Sequence, residues 1–171
     1  MTQSLEARVH DERDGSFPAL AIDQLAIGEQ LLIWALRNRL AEGPERALAK
    51  GFHVAFGLSM VEPALASFHG LYQTLRDHCR RDLGFHGPRC RSVSSDEIII
   101  VSLIAASQAG MTAHAGAIAR YLVHPQALSD LIDGAGCLAM LLRQKELKLP
   151  LHPLVSYGEA TCATAQPSRL H

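Results

Sequence analysis

The segment from Arg76 to Arg91 carries the densest set of chemically active side chains in this 171-residue sequence. It contains five of the sixteen lysine and arginine residues, together with two histidines and two cysteines. Imidazole and thiolate groups are common zinc ligands, and guanidinium groups bind carboxylates and phosphates through paired N–H donors. We call this segment the Arg/His/Cys junction (76–91) and consider metal binding and anion binding for it.

The candidate zinc ligands of the junction are Cys79, His86 and Cys90. His78 cannot easily join Cys79 on one ion, because neighbours on a helix point about 100° apart. The spacing between the two cysteines is not that of a zinc finger or knuckle, and the nearby arginines oppose a cation. We therefore predict no cofactor, with zinc as the alternative.

The candidate residues for binding an anion or an acidic partner are four arginines of the junction: Arg80, Arg81, Arg89 and Arg91. The last two precede a predicted helix start at Ser94, where free backbone amides favour anions. Asp96 and Glu97 already occupy that positive helix end and would repel an anion. The sequence favours a structural role, in which the arginines cover a helix and pair with Asp77 and Asp82.

A DNA-binding helix-turn-helix is a lesser alternative, placed at residues 106–118. Ala106, Gly110 and Thr112 stand where that motif prefers a small residue, a turn glycine and a helix cap. The following helix has Arg120 as its single basic residue and Gly116 where a bulky packing residue is expected. Recognition helices need polar side chains for bases and phosphates, so the sequence disfavours a nucleic-acid partner.

The nine histidines suggest a haem ligand only weakly. His53 and His69 lie among apolar residues on predicted helices, as a haem ligand would. A single helical histidine is more commonly a half-buried, hydrogen-bonded side chain, so haem is disfavoured. The common hydrolase, nucleotide-binding and zinc-protease motifs are missing from the sequence, which favours a protein without catalytic residues.

Composition favours a helical, cytoplasmic protein. Apolar residues make up 48% of the chain but aromatic residues only 5%, which is typical of packed helices rather than a β-sandwich. The net charge of −1 gives no overall attraction to nucleic acid or an anionic membrane. The first fifteen residues lack a secretory signal pattern, and the apolar stretch 98–106 is too short to span a bilayer. We expect the four widely spaced cysteines to be reduced.

The strongest helix start in the sequence lies at Ser94. Ser94 and Glu97 form a capping box, and Val93 and Ile98 stand at the positions of a hydrophobic staple. The residues from Ile98 to Ile104 would be apolar on every side of a helix, which predicts a buried central helix over about 95–109. A β-strand at Ile98–Leu103 is the alternative, disfavoured by the cap.

Further helices are predicted on both sides of this central one. Their expected extents are Asp23 to Glu42, a weaker segment to Phe56, a helix capped by Ser59 and Glu62 that ends near Asp82, a helix capped by Thr112, and one from His124-Pro125 to Pro150. Arg37 is placed at the polar end of the first helix. Gly134 and Gly136 either split the last helix or let a neighbour approach closely.

The sequence thus predicts an all-α, compact bundle of five to seven helices around a buried central helix. Its expected organisation is a flexible arm at 1–21, a helical domain at 22–150 and a tail at 151–171. We expect a small, non-catalytic accessory or regulatory protein that acts through protein–protein interaction, with a protein partner or self-association and no membrane partner. The alternative is a metal- or anion-binding protein that uses the junction.

Overall fold

The computed structural model describes residues 20–40, 45–152 and 168–169. The α-helices and strands of this part are α1 (Ile27–Leu40), α2 (Glu45–Phe56), α3 (Val61–His78), β1 (Gly84–Phe85), α4 (Ser95–Gln108), α5 (Thr112–Leu122), α6 (Leu128–Gln144) and β2 (Ser168–Arg169). Short 3-10 helices, Ile22–Gln24 and Pro125–Ala127, precede α1 and α6. The predicted all-α bundle of about six helices is confirmed.

Helix α4 forms the centre of the bundle. Its capping box is complete, since Ser94 Oγ accepts a hydrogen bond from Glu97 N at 3.1 Å while Glu97 Oε2 accepts one from Ser94 N at 2.9 Å. Its core residues from Ile98 to Ala106 are buried apart from a half-buried Ile99, and α4 packs against α1, α5 and α6. The buried central helix is confirmed, and the alternative of a strand is wrong.

One end of the bundle, which we call the distal end, gathers the start of α1, the α2–α3 turn, the end of α4 and the residues after α6. The Gln108 side chain at the end of α4 donates to Leu147 O at 2.9 Å and accepts from Leu149 N at 2.8 Å. A Cβ added at Gly28 would lie 2.9 Å from the Leu149 side chain, so α1 begins against the same segment. A Cβ added at Gly57 would lie 3.8 Å from Lys145 Nζ, so the α2–α3 turn lies near the residues that follow α6.

The opposite end, which we call the junction end, gathers the end of α3, the start of α4 and the end of α5. His124 N donates to His78 O at 3.0 Å, and Arg80 N donates to Leu122 O at 2.9 Å. A bridge between Cys79 and Val123 joins the same two segments. The helices therefore run between two ends, and each end is built from several elements.

Gly134 explains how α3 and α6 come close together. A Cβ on Gly134 would lie 3.4–3.6 Å from the backbone and Cβ of Leu71, so the α6 surface has little room for a side chain here. Helix α6 runs without a break from Leu128 to Gln144. The prediction of a close neighbour at this glycine is therefore confirmed, and the alternative of a split helix is wrong.

Several predicted helix ends are wrong. Helix α1 begins at Ile27 rather than Asp23, because Glu29 caps the Ala26 amide at 2.8 Å and a 3-10 turn precedes it. Helix α3 begins after Met60, so Ser59 does not cap it, and it ends at His78 rather than near Asp82. After His78 the backbone leaves the helix, and Cys79 pairs with Val123 at the end of α5.

The two predicted arms are described only in part. Leu20 O accepts a hydrogen bond from Val93 N at 2.9 Å, and Ala21 pairs with Ser92, so the end of the first arm docks on the bundle. In the tail, β2 pairs antiparallel with β1, with Gly84 opposite Arg169. Most of both arms lies outside the described residues, where their flexibility stays a prediction.

No helix within residues 20–40 and 45–152 combines the length and the apolar character that crossing a membrane requires.

Candidate functional site

The junction is organised by a buried ion pair between α1 and α4. Arg37 Nε donates to Glu97 Oε1 at 2.7 Å, and Arg37 Nη2 donates to Glu97 Oε2 at 2.8 Å. The side chains are 1% and 0% exposed. The remaining guanidinium donors bind the carbonyls of Cys90 and Ser92 at 2.6 and 2.7 Å. This two-pronged geometry ties the end of α1 to the loop that enters α4.

The Arg37–Glu97 pair has a structural role because its hydrogen-bonding capacity is used within the chain. Besides Arg37, the Glu97 carboxylate accepts from the amides of Ser94 and His86, at 2.9 and 3.3 Å. The placement of Arg37 at the polar end of the first helix is wrong, since it is 2% exposed. In the sequence Arg37 follows Ile33 by four residues, one helical turn along the same face, but this spacing alone does not identify a buried arginine.

A second ion pair lies beside the first and includes one of the predicted anion-binding residues. Arg81 forms a two-point hydrogen bond with Asp96, which also accepts from Gly84 N at 2.7 Å. The Arg81 guanidinium lies over the Tyr121 ring, 5.1 Å from its centroid. Asp96 raises the pKa of Arg81 further above its ordinary range. Arg81 is thus held in place while part of its surface stays exposed.

The structure separates the other predicted anion-binding residues. Arg80 Nη1 donates to Arg120 O at 2.9 Å, so Arg80 lies at the end of α5. Arg91 instead pairs with Asp23 at 2.7 Å on the loop beside the first described residues. Arg89 is exposed and has no polar partner within the described part of the chain. Arg80 and Arg81 are therefore close to α5, whereas Arg91 belongs to a different surface.

Two of the three candidate zinc ligands lie close together. His86 Nδ1 is 3.6 Å from Cys90 Sγ and 2.9 Å from Ser92 O. Cys90 takes part in a disulfide, so the expectation of reduced thiols is wrong for this residue and its sulfur is not a free thiolate. Cys79 and Cys137 are free cysteines.

Cys79 has surroundings of its own. Its thiol lies 3.2 Å from Leu122 O and donates to it, and burial raises its pKa. Across the described residues no group of three or more His, Cys, Asp or Glu side chains is arranged to hold a metal ion. The zinc alternative therefore depends on the sequence pattern alone, since the sulfur of a disulfide-bonded Cys90 is not a thiolate ligand.

The two histidines considered as haem ligands differ in burial. His53 is exposed on α2, whereas His69 is half-buried on α3 beside Phe68, with ring centroids 6.2 Å apart. His69 Nε2 is buried and has no hydrogen-bond partner among the described residues. Nothing in these contacts places a second axial ligand near it, and haem stays disfavoured.

The α4–turn–α5 segment has the turn that a helix-turn-helix requires. Gly110 has φ +72°, a conformation that favours glycine, and Thr112 is the first residue of α5 rather than its cap. The Arg120 guanidinium lies along α5 beside Gly116. A Cβ added at Gly116 would lie 3.5 Å from it. The Arg120 side chain therefore packs against Gly116, and DNA binding stays a lesser alternative.

Exposed apolar side chains form a feature that the sequence did not locate. The large hydrophobic residues exposed in the described part of the chain are Ile27, Val54, Leu58, Met111, Tyr121, Met140 and Leu151. All except Tyr121 belong to the elements that meet at the distal end or to the last turns of helices that reach it. Ile27, Val54 and Leu58 are 73%, 78% and 81% exposed. The sequence indicated surplus apolar residues, but their common location depends on how the helices pack.

Comparison of the chain with protein-family models, with curated proteins and with solved structures finds no match. Function is therefore inferred from the residues and contacts of this chain.

Proposed function

We propose that this protein is a non-catalytic binding protein that acts through protein–protein contact at its distal end. The observation that carries the proposal is that six exposed large apolar side chains lie on the elements that reach one end of the bundle. Single exposed apolar residues are ordinary on protein surfaces, whereas their concentration in one region marks an interaction site.

The proposed occupant of the distal end is a second copy of the chain. The charged residues around the apolar side chains have both signs, with Lys145 and Lys148 on either side of Glu146. The chain has a net charge of −1, so two copies do not repel each other strongly. A surface with mixed charge can match itself across a two-fold axis, since each copy offers both signs.

The exposed apolar side chains support such an association. Full burial of a leucine, isoleucine or methionine side chain contributes about 1.5–3 kcal/mol. Two copies would bury Ile27, Leu58 and Met111 twice each, and the sum is comparable with the about 4–15 kcal/mol that association costs in lost freedom. Methionine also adapts its shape to a partner surface, which suits Met111 and Met140.

The charged groups of the junction support a role without catalysis. Arg37, Glu97, Arg81 and Asp96 bind one another and nearby backbone groups. Groups held in structural pairs are poorly placed to exchange protons with a substrate, because their donors and acceptors are already used. The distal end is therefore the better candidate for activity.

Sedimentation velocity over the micromolar range tests the proposal. The wild-type chain should sediment as a concentration-dependent dimer, and Leu58→Glu and Ile27→Glu should each weaken dimerisation about tenfold or more by burying a charge. Ala117→Glu is the matched control, since it adds the same charge at an exposed site on α5. A chain that stays monomeric throughout, or a control that weakens the dimer equally, would overturn the proposal.

A further inference from the structure

Residues 78–81 and 121–124 lie side by side at the junction end, and we call this pair of segments the 78–81/121–124 ladder. Backbone hydrogen bonds join His124 to His78 and Arg80 to Leu122, at 3.0 and 2.9 Å. An antiparallel bridge joins Cys79 to Val123 between them. The ladder connects the end of α3 to the end of α5, so its outward side chains are held on two fixed helix ends.

Two arginines of this region have no carboxylate partner within the described residues. Arg80 is exposed, and its Nη1 donates a hydrogen bond to Arg120 O. Arg120 is also exposed and lies along α5 beside Gly116. Arg80 therefore caps a helix carbonyl with one nitrogen while its other donors stay open to a ligand.

A third arginine and an exposed tyrosine extend the surface. The Arg81 guanidinium lies over the ring of Tyr121, and its Nη2 donates a hydrogen bond to the Tyr121 hydroxyl at 3.2 Å. Tyr121 is 54% exposed. Among the large exposed hydrophobic residues of the described chain, it is the one that lies away from the distal end. Arginine and tyrosine are the residue types most enriched at the energetic centres of protein interfaces.

The local charge of the surface is positive although the chain as a whole is close to neutral. Asp96 neutralises Arg81, and Asp77 pairs with Arg76 at 2.7 Å. Arg80 and Arg120 then stand against one exposed acid, Asp82, so the surface keeps an excess of one positive charge. Arg76 lowers the pKa of Asp77, so that carboxylate is ionised over the physiological range and marks one edge of the surface.

We propose that the 78–81/121–124 ladder, together with the adjoining Arg120 of α5, is a docking surface for an acidic peptide segment of another protein, held by Arg80 and Arg120 and packed on Tyr121. Carboxylate side chains fit guanidinium groups through paired hydrogen bonds, and an adjacent aromatic ring gives apolar contact to the peptide. A nucleic acid is disfavoured, because Asp77 and Asp82 at the edges would repel a continuous phosphate backbone, whereas a short peptide can place its charges between them.

Fluorescence anisotropy with a labelled glutamate-rich peptide tests this surface. The wild-type chain should bind the peptide, and added salt should weaken the binding, because exposed ion pairs are screened. The double variant Arg80→Gln/Arg120→Gln should weaken binding about fivefold to tenfold, as expected for the loss of two exposed contacts with carboxylates. Both arginines lack carboxylate partners within the described residues, so the variant should keep its helical circular dichroism and melting temperature.

The control variant is Arg46→Gln/Lys50→Gln, which removes the same charge from exposed positions on α2. It should change the peptide affinity by less than about twofold, since its sites lie outside the ladder. Three results would overturn the proposal: no peptide binding, equal loss in the control, or tighter binding of a single-stranded oligonucleotide of the same charge that depends on Arg80 and Arg120. The test is independent of self-association at the distal end.

Discussion

Glu97 has two roles at the residue scale, and the sequence revealed only one of them. It completes the capping box with Ser94, and it also accepts hydrogen bonds from Nε and Nη2 of Arg37 in the core. The cap is a contact over three residues, whereas the ion pair joins positions sixty residues apart. A carboxylate at the start of a helix is sufficiently explained by the cap, so Glu97 by itself does not indicate a buried arginine partner.

Glu97→Gln should destabilise the protein by about 3–5 kcal/mol, because it leaves the buried Arg37 charge without a counter-ion. Urea unfolding followed by circular dichroism measures this change. Arg91→Gln is the control, since it breaks the Arg91–Asp23 pair, whose side chains are 81% and 56% exposed. That variant should cost less than about 1 kcal/mol. Similar losses in the two variants would contradict the structural role assigned to the buried pair.

At the element scale, glycines within helices have different functions that their sequence context does not distinguish. Gly51 in α2 lies against the Trp34 ring of α1, and a Cβ there would stand 2.3 Å from the ring. Gly136 in α6 has open space around the same position, with nothing within 4 Å. Both interrupt a helical pattern, yet only Gly51 provides room for a neighbour.

Gly51→Ala should therefore destabilise the protein by about 1–2 kcal/mol, because the Trp34 ring must move, despite the better helix propensity of alanine. Gly136→Ala should stabilise the protein by about 0.5–1 kcal/mol, since alanine favours a helix more than glycine does and meets no neighbour at this position. Thermal unfolding measures both changes. Trp34 is the single tryptophan, so its fluorescence should shift in the first variant and not in the second. A stabilising Gly51→Ala would show that the ring is not held there.

At the scale of the whole molecule, the two proposed surfaces lie at opposite ends of the bundle. The distal end is apolar and the 78–81/121–124 ladder is basic, and α4 runs between them over fourteen residues. A helix of that length spans about 21 Å, which is beyond the range at which side-chain substitutions usually interact. The fold therefore allows the chain to hold a second copy and an acidic segment at the same time.

The two ends should act independently. Arg80→Gln/Arg120→Gln should leave the dimer dissociation constant within about twofold of wild type, and Leu58→Glu should leave the peptide affinity within the same limit. Sedimentation velocity measures the dimer dissociation constant of the first variant, and fluorescence anisotropy measures the peptide affinity of the second. A change of either property by a substitution at the other end would show coupling between the ends, which the separation of the two sites does not predict.

The sequence by itself determined the helical class, the approximate number of helices and the central position of α4. These follow from local signals, namely the Ser94 cap and an apolar run that leaves no polar face between Ile98 and Ile104. Only the tertiary structure decided that Arg37 is buried, that Arg80 and Arg91 lie on different surfaces and that apolar side chains gather at the distal end. Those features depend on contacts between residues far apart in the chain, and periodicity carries no information about which helices meet or which side chains they cover.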